Sequence, residues 1–127
     1  MSDTRDTYSI WVTVSDMNLM VESRQVGDWS IVEVKGEVDL YSAPRLKERL
    51  AELTGAGRTR IAVNLGAVEF LDSTGLGVLI GALKRCREAG GTLGLVAPRE
   101  PVRKVLSITG LDRVFPVHDS VEQATAS

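Results

Sequence analysis

The sequence contains very few of the residues from which metal and redox sites are built. Its 127 residues include one cysteine, Cys86, and one histidine, His118. A single cysteine excludes an intrachain disulfide, and its position in an apolar stripe predicts a buried thiol in a reducing cytoplasm. One histidine and one cysteine cannot form a zinc cluster, and the carboxylates lack the spacing of a calcium loop. We therefore predict no metal site and no cofactor.

Motifs for catalysis and nucleotide binding are also missing. The segment Asp72-Ser73-Thr74-Gly75 is not the Gly-x-Ser-x-Gly nucleophile elbow, and no base lies near it in the sequence. A small hydrolase that uses Ser73 remains a third hypothesis, which would need His118 to fold back onto the serine. Gly75, Gly77 and Gly81 do not have the dinucleotide-binding spacing, and no Walker motif is present. We expect Gly81 instead to allow close packing of a helix onto a sheet.

Strong net charge and long hydrophobic runs are absent as well. The formal net charge is −2, which argues against a nucleic-acid surface. The apolar run at residues 8–14 is too short for a signal peptide core or a membrane span, so we predict no membrane partner. Ile10, Val12 and Val14 alternate, so residues 1–17 are interpreted as an extension that is either flexible or an extra edge strand. Residues 18–127 are interpreted as one domain.

What the sequence does contain is a regular alternation of strand and helix patterns. Strands are predicted at residues 19–26, 29–34, 61–65 with 68–71, 92–96 and 114–117. Four helices are predicted. The first begins near Ser42 and Pro44, the second covers about 74–89, the third begins at Pro101 and ends before Gly110, and the fourth begins at Asp119 or Ser120. This order predicts an α/β domain with about four helices and a mixed, mostly parallel sheet of four to five strands, whose initial hairpin forms one antiparallel edge.

The most informative segment is the turn at residues 70–77, where a buried strand gives way to a helix. Ser73 or Thr74 is a natural N-cap there, and the charge of Asp72 suits the positive end of the helix dipole. Gly75 and Gly77 remove side chains from the first helical turn, which leaves the hydroxyls accessible to a large partner. From these residues alone, a plain helix cap and an exposed functional hydroxyl both remain open.

Two segments of this chain resemble the STAS domain of bacterial anti-sigma factor antagonists, also called anti-anti-sigma factors. They are Gly36-Glu37-Val38-Asp39-Leu40-Tyr41-Ser42-Ala43-Pro44 and Phe70-Leu71-Asp72-Ser73-Thr74-Gly75-Leu76-Gly77-Val78-Leu79. The resemblance extends over roughly residues 19–125. It implies the STAS fold and a cytoplasmic binding module rather than an enzyme, which in its unphosphorylated form binds an anti-sigma factor and so frees a sigma factor.

The same resemblance implies partners and site residues. The anti-sigma factor would be an ATP-dependent serine kinase, and a PP2C-type phosphatase would remove the phosphate. The phosphoacceptor would be the serine directly after the aspartate, Ser73, with Thr74 as the second choice. The implied partner-binding residues are Asp39, Asp72, Ser73, Thr74, Gly75, Leu76 and Gly77. The alternative is a STAS accessory or scaffold subunit of another signalling or transporter assembly, and the retained Asp-Ser-Thr acceptor favours the antagonist.

Overall fold

The computed structural model describes residues 19–126, so the prediction for residues 1–17 lies outside the described part of the chain. The strands are β1 (Leu19–Val26), β2 (Trp29–Val38), β3 (Arg60–Leu71), β4 (Thr92–Val96) and β5 (Val117–His118). The helices are α1 (Ala43–Gly55), α2 (Ser73–Glu88), α3 (Glu100–Thr109) and α4 (Val121–Thr125), with a short 3-10 helix at Leu111–Arg113.

The strands form one five-stranded sheet in the order β1-β2-β3-β4-β5. β1 and β2 are antiparallel about a turn in which Gly27 has a φ of 60°, and the other three pairs are parallel. This confirms the predicted α/β class, the mostly parallel sheet and its antiparallel edge. β2 runs further than predicted, with two register shifts against β3, and its last residue, Val38, pairs with Leu71. The loops that follow β2 and β3 therefore start side by side.

The hydrophobic core lies mainly on one face of the sheet, beneath α1, α2 and α3. Its fully buried members include Val32, Val38, Leu46, Leu50, Ile61, Leu65, Leu79, Leu93 and Leu106. Cys86 is buried in the same cluster, as predicted, and burial raises the pKa of its thiol because the thiolate is poorly solvated there. A smaller cluster on the opposite face comprises Trp29, Ile31, Ala62, Val96 and Ala124 and is covered by α4.

The last strand was predicted in the wrong place. Residues 114–117 were expected to form it, whereas β5 comprises only Val117 and His118, which pair with Leu95 and Val96. Gly110 ends α3 in a left-handed conformation with a φ of 77°, and the chain then continues into the 3-10 helix. The side chain of Phe115 turns into the core. The chain therefore reaches the edge of β4 only after these residues.

The packing role assigned to Gly81 was also wrong. A Cβ built at Gly81 meets only the end of the Arg85 side chain, with the Nη1 atom 3.6 Å away, which is an ordinary contact. Gly81 therefore does not set the distance between α2 and the sheet. Within residues 19–126, no helix is both long enough and apolar enough to cross a membrane.

Candidate functional site

The candidate site lies at the carboxyl edge of the sheet, where β2 and β3 end together. The backbone N–H of Asp72 donates a hydrogen bond of 3.1 Å to the carbonyl oxygen of Val38. This bond ties the start of α2 to the end of β2. The loop 39–42, which leads into α1, and the turn that begins α2 are consequently neighbours, as the predicted site requires.

Asp39 and Ser42 lock the loop between β2 and α1. The Asp39 Oδ1 atom accepts hydrogen bonds from the backbone N–H groups of Tyr41, at 2.9 Å, and Ser42, at 3.0 Å. The Ser42 hydroxyl accepts from the backbone N–H of Asp39 at 2.9 Å and lies 2.8 Å from the carbonyl oxygen of Glu37 and 3.1 Å from Asp39 Oδ1. A hydroxyl has one hydrogen, so these two acceptors share it. The loop is therefore an Asx turn closed by a buried serine.

This network stabilises the charged form of Asp39. The bond from the Ser42 backbone N–H contributes most, and together with the Ser42 hydroxyl and the Tyr41 N–H it holds the pKa of the Asp39 carboxyl below its ordinary value, against a smaller opposing effect of burial. Between the two locked residues, Leu40 is 61% exposed and Tyr41 is 87% exposed. The loop thus holds a leucine and a tyrosine side chain out into the solvent. The sequence reading missed this lock, although Asp39-x-x-Ser42 is a recognisable Asx-turn pattern.

At the turn before α2, the prediction that Ser73 or Thr74 is the N-cap was wrong. Asp72, not Ser73 or Thr74, is the N-cap residue, and its Oδ1 atom accepts a hydrogen bond of 3.0 Å from the backbone N–H of Gly75. Ser73 is the first residue of α2 and is exposed, whereas Thr74 is half-buried. Because the Asp72 carboxylate caps α2, the Ser73 hydroxyl is not needed as the N-cap.

The two glycines of the turn have different environments. A Cβ built at Gly75 would lie 2.5 Å from Leu71 Cδ1 and 2.6 Å from Val38 Cγ1, whereas one built at Gly77 meets nothing within 4 Å. Gly75 is therefore the residue that lets α2 approach the ends of β2 and β3. Leu76 is also buried, at 7% exposure. Of the predicted partner-binding residues, Gly75 and Leu76 face the core, and the others lie at the surface or half-buried.

Acidic and apolar side chains surround the turn. Glu37 and Glu69 are exposed near the end of the sheet, and Phe70, which pairs with Glu37, is 50% exposed. A shallow groove of about 390 Å³ beside them is lined by Lys35 and Arg99 as well as the two glutamates, so its charges are mixed. Across the described range 19–126, no three His, Cys, Asp or Glu side chains are grouped as metal ligands.

His118, the only histidine in the sequence, lies at the end of β5, and through Val96 it is in register with Asn64, seven residues before β3 ends at Leu71. It is on β5, two strands from β3, and it pairs with Val96. Its ring packs near Gly94, where a built Cβ would be 3.3 Å from His118 Cδ2. The described structure therefore gives no support to a hydrolase in which His118 activates Ser73.

Known proteins are similar to this chain in sequence and in fold. The family model for the STAS domain matches residues 20–124. An anti-sigma-B factor antagonist from Staphylococcus epidermidis is 35% identical over 106 residues, which cover 84% of this chain and 98% of that protein.

Solved structures share the fold as well. The crystal structure of an anti-sigma factor antagonist from Mycobacterium paratuberculosis has a TM-score of 0.77 and 29% identity, covering 85% of this chain and 92% of that one. The phosphorylated form of the Bacillus cell fate determinant SpoIIAA has a TM-score of 0.69 and 22% identity, covering 84% of this chain and 97% of that one. At that identity, the similarity to SpoIIAA concerns the fold alone.

Proposed function

Because this chain belongs to the STAS domain family, we propose that it is an anti-sigma factor antagonist, a binding module without catalytic activity of its own. In its unphosphorylated form it binds an anti-sigma factor and so releases a sigma factor. The observation that carries the proposal is the exposed Ser73 hydroxyl at the first position of α2, next to the locked loop that holds Leu40 and Tyr41 out into the solvent. The relatives named as anti-sigma factor antagonists support this assignment.

We further propose that the anti-sigma factor is a serine kinase that inactivates this protein. The Ser73 Oγ atom attacks the γ-phosphorus of ATP held by the kinase, an O–P bond forms, ADP leaves, and the hydroxyl proton passes to a base of the kinase. Ser73 is preferred to Thr74 because its side chain is exposed and that of Thr74 is half-buried. A PP2C-type phosphatase hydrolyses the phosphate and restores the active form.

Charge explains how the phosphate would end binding without unfolding the domain. A phosphoserine adds about −1.5 to −2 charges. It would stand beside the carboxylate of Asp72 and near that of Asp39, so negative charge would accumulate at the turn, whereas the groove beside it has mixed charges. The positive end of the α2 dipole tolerates this charge within the fold. The phosphate therefore blocks the docking surface while α2 stays capped by Asp72.

The test incubates the protein with a candidate anti-sigma factor kinase and ATP and locates the phosphate by mass spectrometry. Ser73→Ala should abolish labelling. Thr74→Ala and Ser107→Ala, an exposed serine on α3, should both label like the wild type. Labelling that persists in Ser73→Ala would overturn the site. Failure of the unphosphorylated wild type to bind any such kinase would overturn the antagonist assignment and favour the accessory or scaffold alternative.

A further inference from the structure

The sheet has one open edge. β1 is its first strand, and within residues 19–126 no strand pairs with the outer side of β1. This strand is eight residues long, Leu19–Val26, and an exposed strand of that length is a template for pairing with another strand. Natural edge strands commonly carry charged residues that prevent such pairing. What can pair with this edge is therefore determined by the side chains of β1.

The exposed face of β1 carries one acid and one base between two apolar side chains. Alternate residues of a strand share a face, and on the face opposite α1 these are Met20, Glu22, Arg24 and Val26, all exposed. Arg24 Nη2 lies 3.3 Å from Glu33 Oε2 on β2. Glu22 is directly opposite Glu33, a like charge, and Glu22 has no ion pair within the described residues. Glu22 is thus a carboxylate that would gain from a cation on the open side of β1.

A second copy of this chain can supply that cation. When two identical edge strands pair antiparallel about a two-fold axis, the axis must lie between the same residue of both copies, because only alternate residues direct their N–H and C=O groups outward. An axis at Ser23 places Glu22 opposite Arg24 of the second copy, and it does so twice. The exposed Met20 then lies opposite Val26. An axis at Glu22 or at Arg24 instead places two like charges opposite each other. The charges therefore select the register that is centred on Ser23.

The helix beside β1 is compatible with the same arrangement. Arg49 Nη1 of α1 donates a hydrogen bond of 3.1 Å to Ser23 Oγ, so α1 lies close to the edge. In the register centred on Ser23, α1 of one copy lies beside α1 of the other. The groove between β1 and α1 is lined by Val21 and by two arginines and two glutamates, Arg45, Glu48, Arg49 and Glu52. A surface that presents both signs of charge can match a copy of itself, as a two-fold interface requires.

We infer that β1 is a self-association surface, at which two copies of this chain pair antiparallel about Ser23 and join their five-stranded sheets into one. Reciprocal ion pairs between Glu22 and Arg24 hold the register, and contacts between the apolar side chains at the two ends of the strands add burial. Because β2 of one copy then runs opposite to β2 of the other, the two Ser73 sites lie at opposite edges of the joined sheet and stay accessible. The inference is independent of the proposed function.

An engineered disulfide tests the register. In the proposed arrangement position 23 faces itself, so Ser23→Cys, treated with oxidised glutathione, should form an interchain disulfide in the full chain. Gln25→Cys is the matched control on the same face of β1, because its two copies would lie roughly 14 Å apart, beyond the reach of a disulfide. Cys86 is buried and present in both variants. Cross-linking of neither variant, or of both to the same extent, would overturn the proposed register.

Sedimentation of the full chain at increasing concentration tests the association itself, and the measured mass should approach that of two 13.7 kDa chains. Glu22→Arg and Arg24→Glu each replace two attractive pairs with repulsive ones, so each should weaken self-association about tenfold. An equimolar mixture of these two variants should recover the dimer, since opposite charges face each other again. Lys104→Glu, an equal change of charge on the exposed side of α3, should associate like the wild type.

The outcomes decide between occupants of the edge. A wild type that stays monomeric at every concentration would overturn the inference and leave the edge to residues 1–18 or to a different protein. A dimer that Glu22→Arg and Arg24→Glu leave intact, or a mixture of these variants that fails to associate, would place the interface elsewhere. Circular dichroism shows whether each variant is folded, and recovery in the mixture cannot come from two misfolded chains.

Discussion

Replacing Gly75 with alanine should destabilise the domain, because this glycine sets the approach of α2 to the sheet. The added methyl group would lie 2.5 Å from Leu71 Cδ1 and 2.6 Å from Val38 Cγ1, whereas carbon atoms in contact are normally about 3.5–4.0 Å apart. Overlap of roughly 1 Å must therefore be relieved. Leu71 can move the end of its side chain, but Val38 is β-branched and fully buried, and its carbonyl is bonded to Asp72.

The magnitude follows from two opposing effects. Overpacking of a core costs about 1–3 kcal/mol, and exchanging glycine for alanine inside a helix returns about 1 kcal/mol. We expect a net loss of up to about 2 kcal/mol in the free energy of unfolding. Urea unfolding followed by circular dichroism measures it, with Gly77→Ala as the matched variant two residues further along α2. Equal stability changes in the two variants, or a stabilised Gly75→Ala, would refute the reasoning.

Two further predictions concern the hydrogen bonds of the site. Asp72→Ala removes the cap on the Gly75 N–H and should cost about 1 kcal/mol in urea unfolding, whereas Asp72→Ser, which can also cap, should recover most of the loss. Ser42→Ala should cost about 1–2 kcal/mol, because the Asp39 N–H and the Glu37 carbonyl lose a partner. It should also raise the Asp39 pKa measured by NMR. In the wild type, the stabilising effect of the Asp39 carboxylate should be lost as the pH falls from about 3.9 through its lower folded pKa.

The strands and helices with long hydrophobic patterns were predictable from the sequence because their evidence is local. The stripe of apolar residues in α2 predicted its extent to within one residue at each end, and the glycine after α3 predicted its end at Gly110. Ser120, one of two candidates for the cap of α4, accepts the bond from Gln123 N–H. Each of these features depends on residues that are close in sequence.

The wrong predictions have a different physical origin, because they depended on distances between elements. Gly75 and Gly81 look alike as glycines in one helix, and they are distinguished by the contacts of Gly75 with Leu71 and with Val38, which lies 37 residues before it in the sequence. The cap was assigned to Ser73 or Thr74 because hydroxyls and carboxylates cap equally well. The helix begins one residue earlier than predicted, since the bond from the Asp72 N–H to Val38 ties the chain to β2 at that point.

The residues at the start of α2 fall into two sets, one that holds the helix on the sheet and one that faces the solvent, and this separation bears directly on regulation. Asp72, Gly75 and Leu76 lie toward the cap and the core, where they hold α2 on the sheet. Ser73 and Gly77 lie on the opposite face, where they contribute little to packing. A charge added at Ser73 therefore acts on the solvent side of a helix whose attachment is on the other side. Ser73→Asp should accordingly change amide NMR signals only around the two loops and the first turns of α2, and changes throughout the core would contradict this local mechanism.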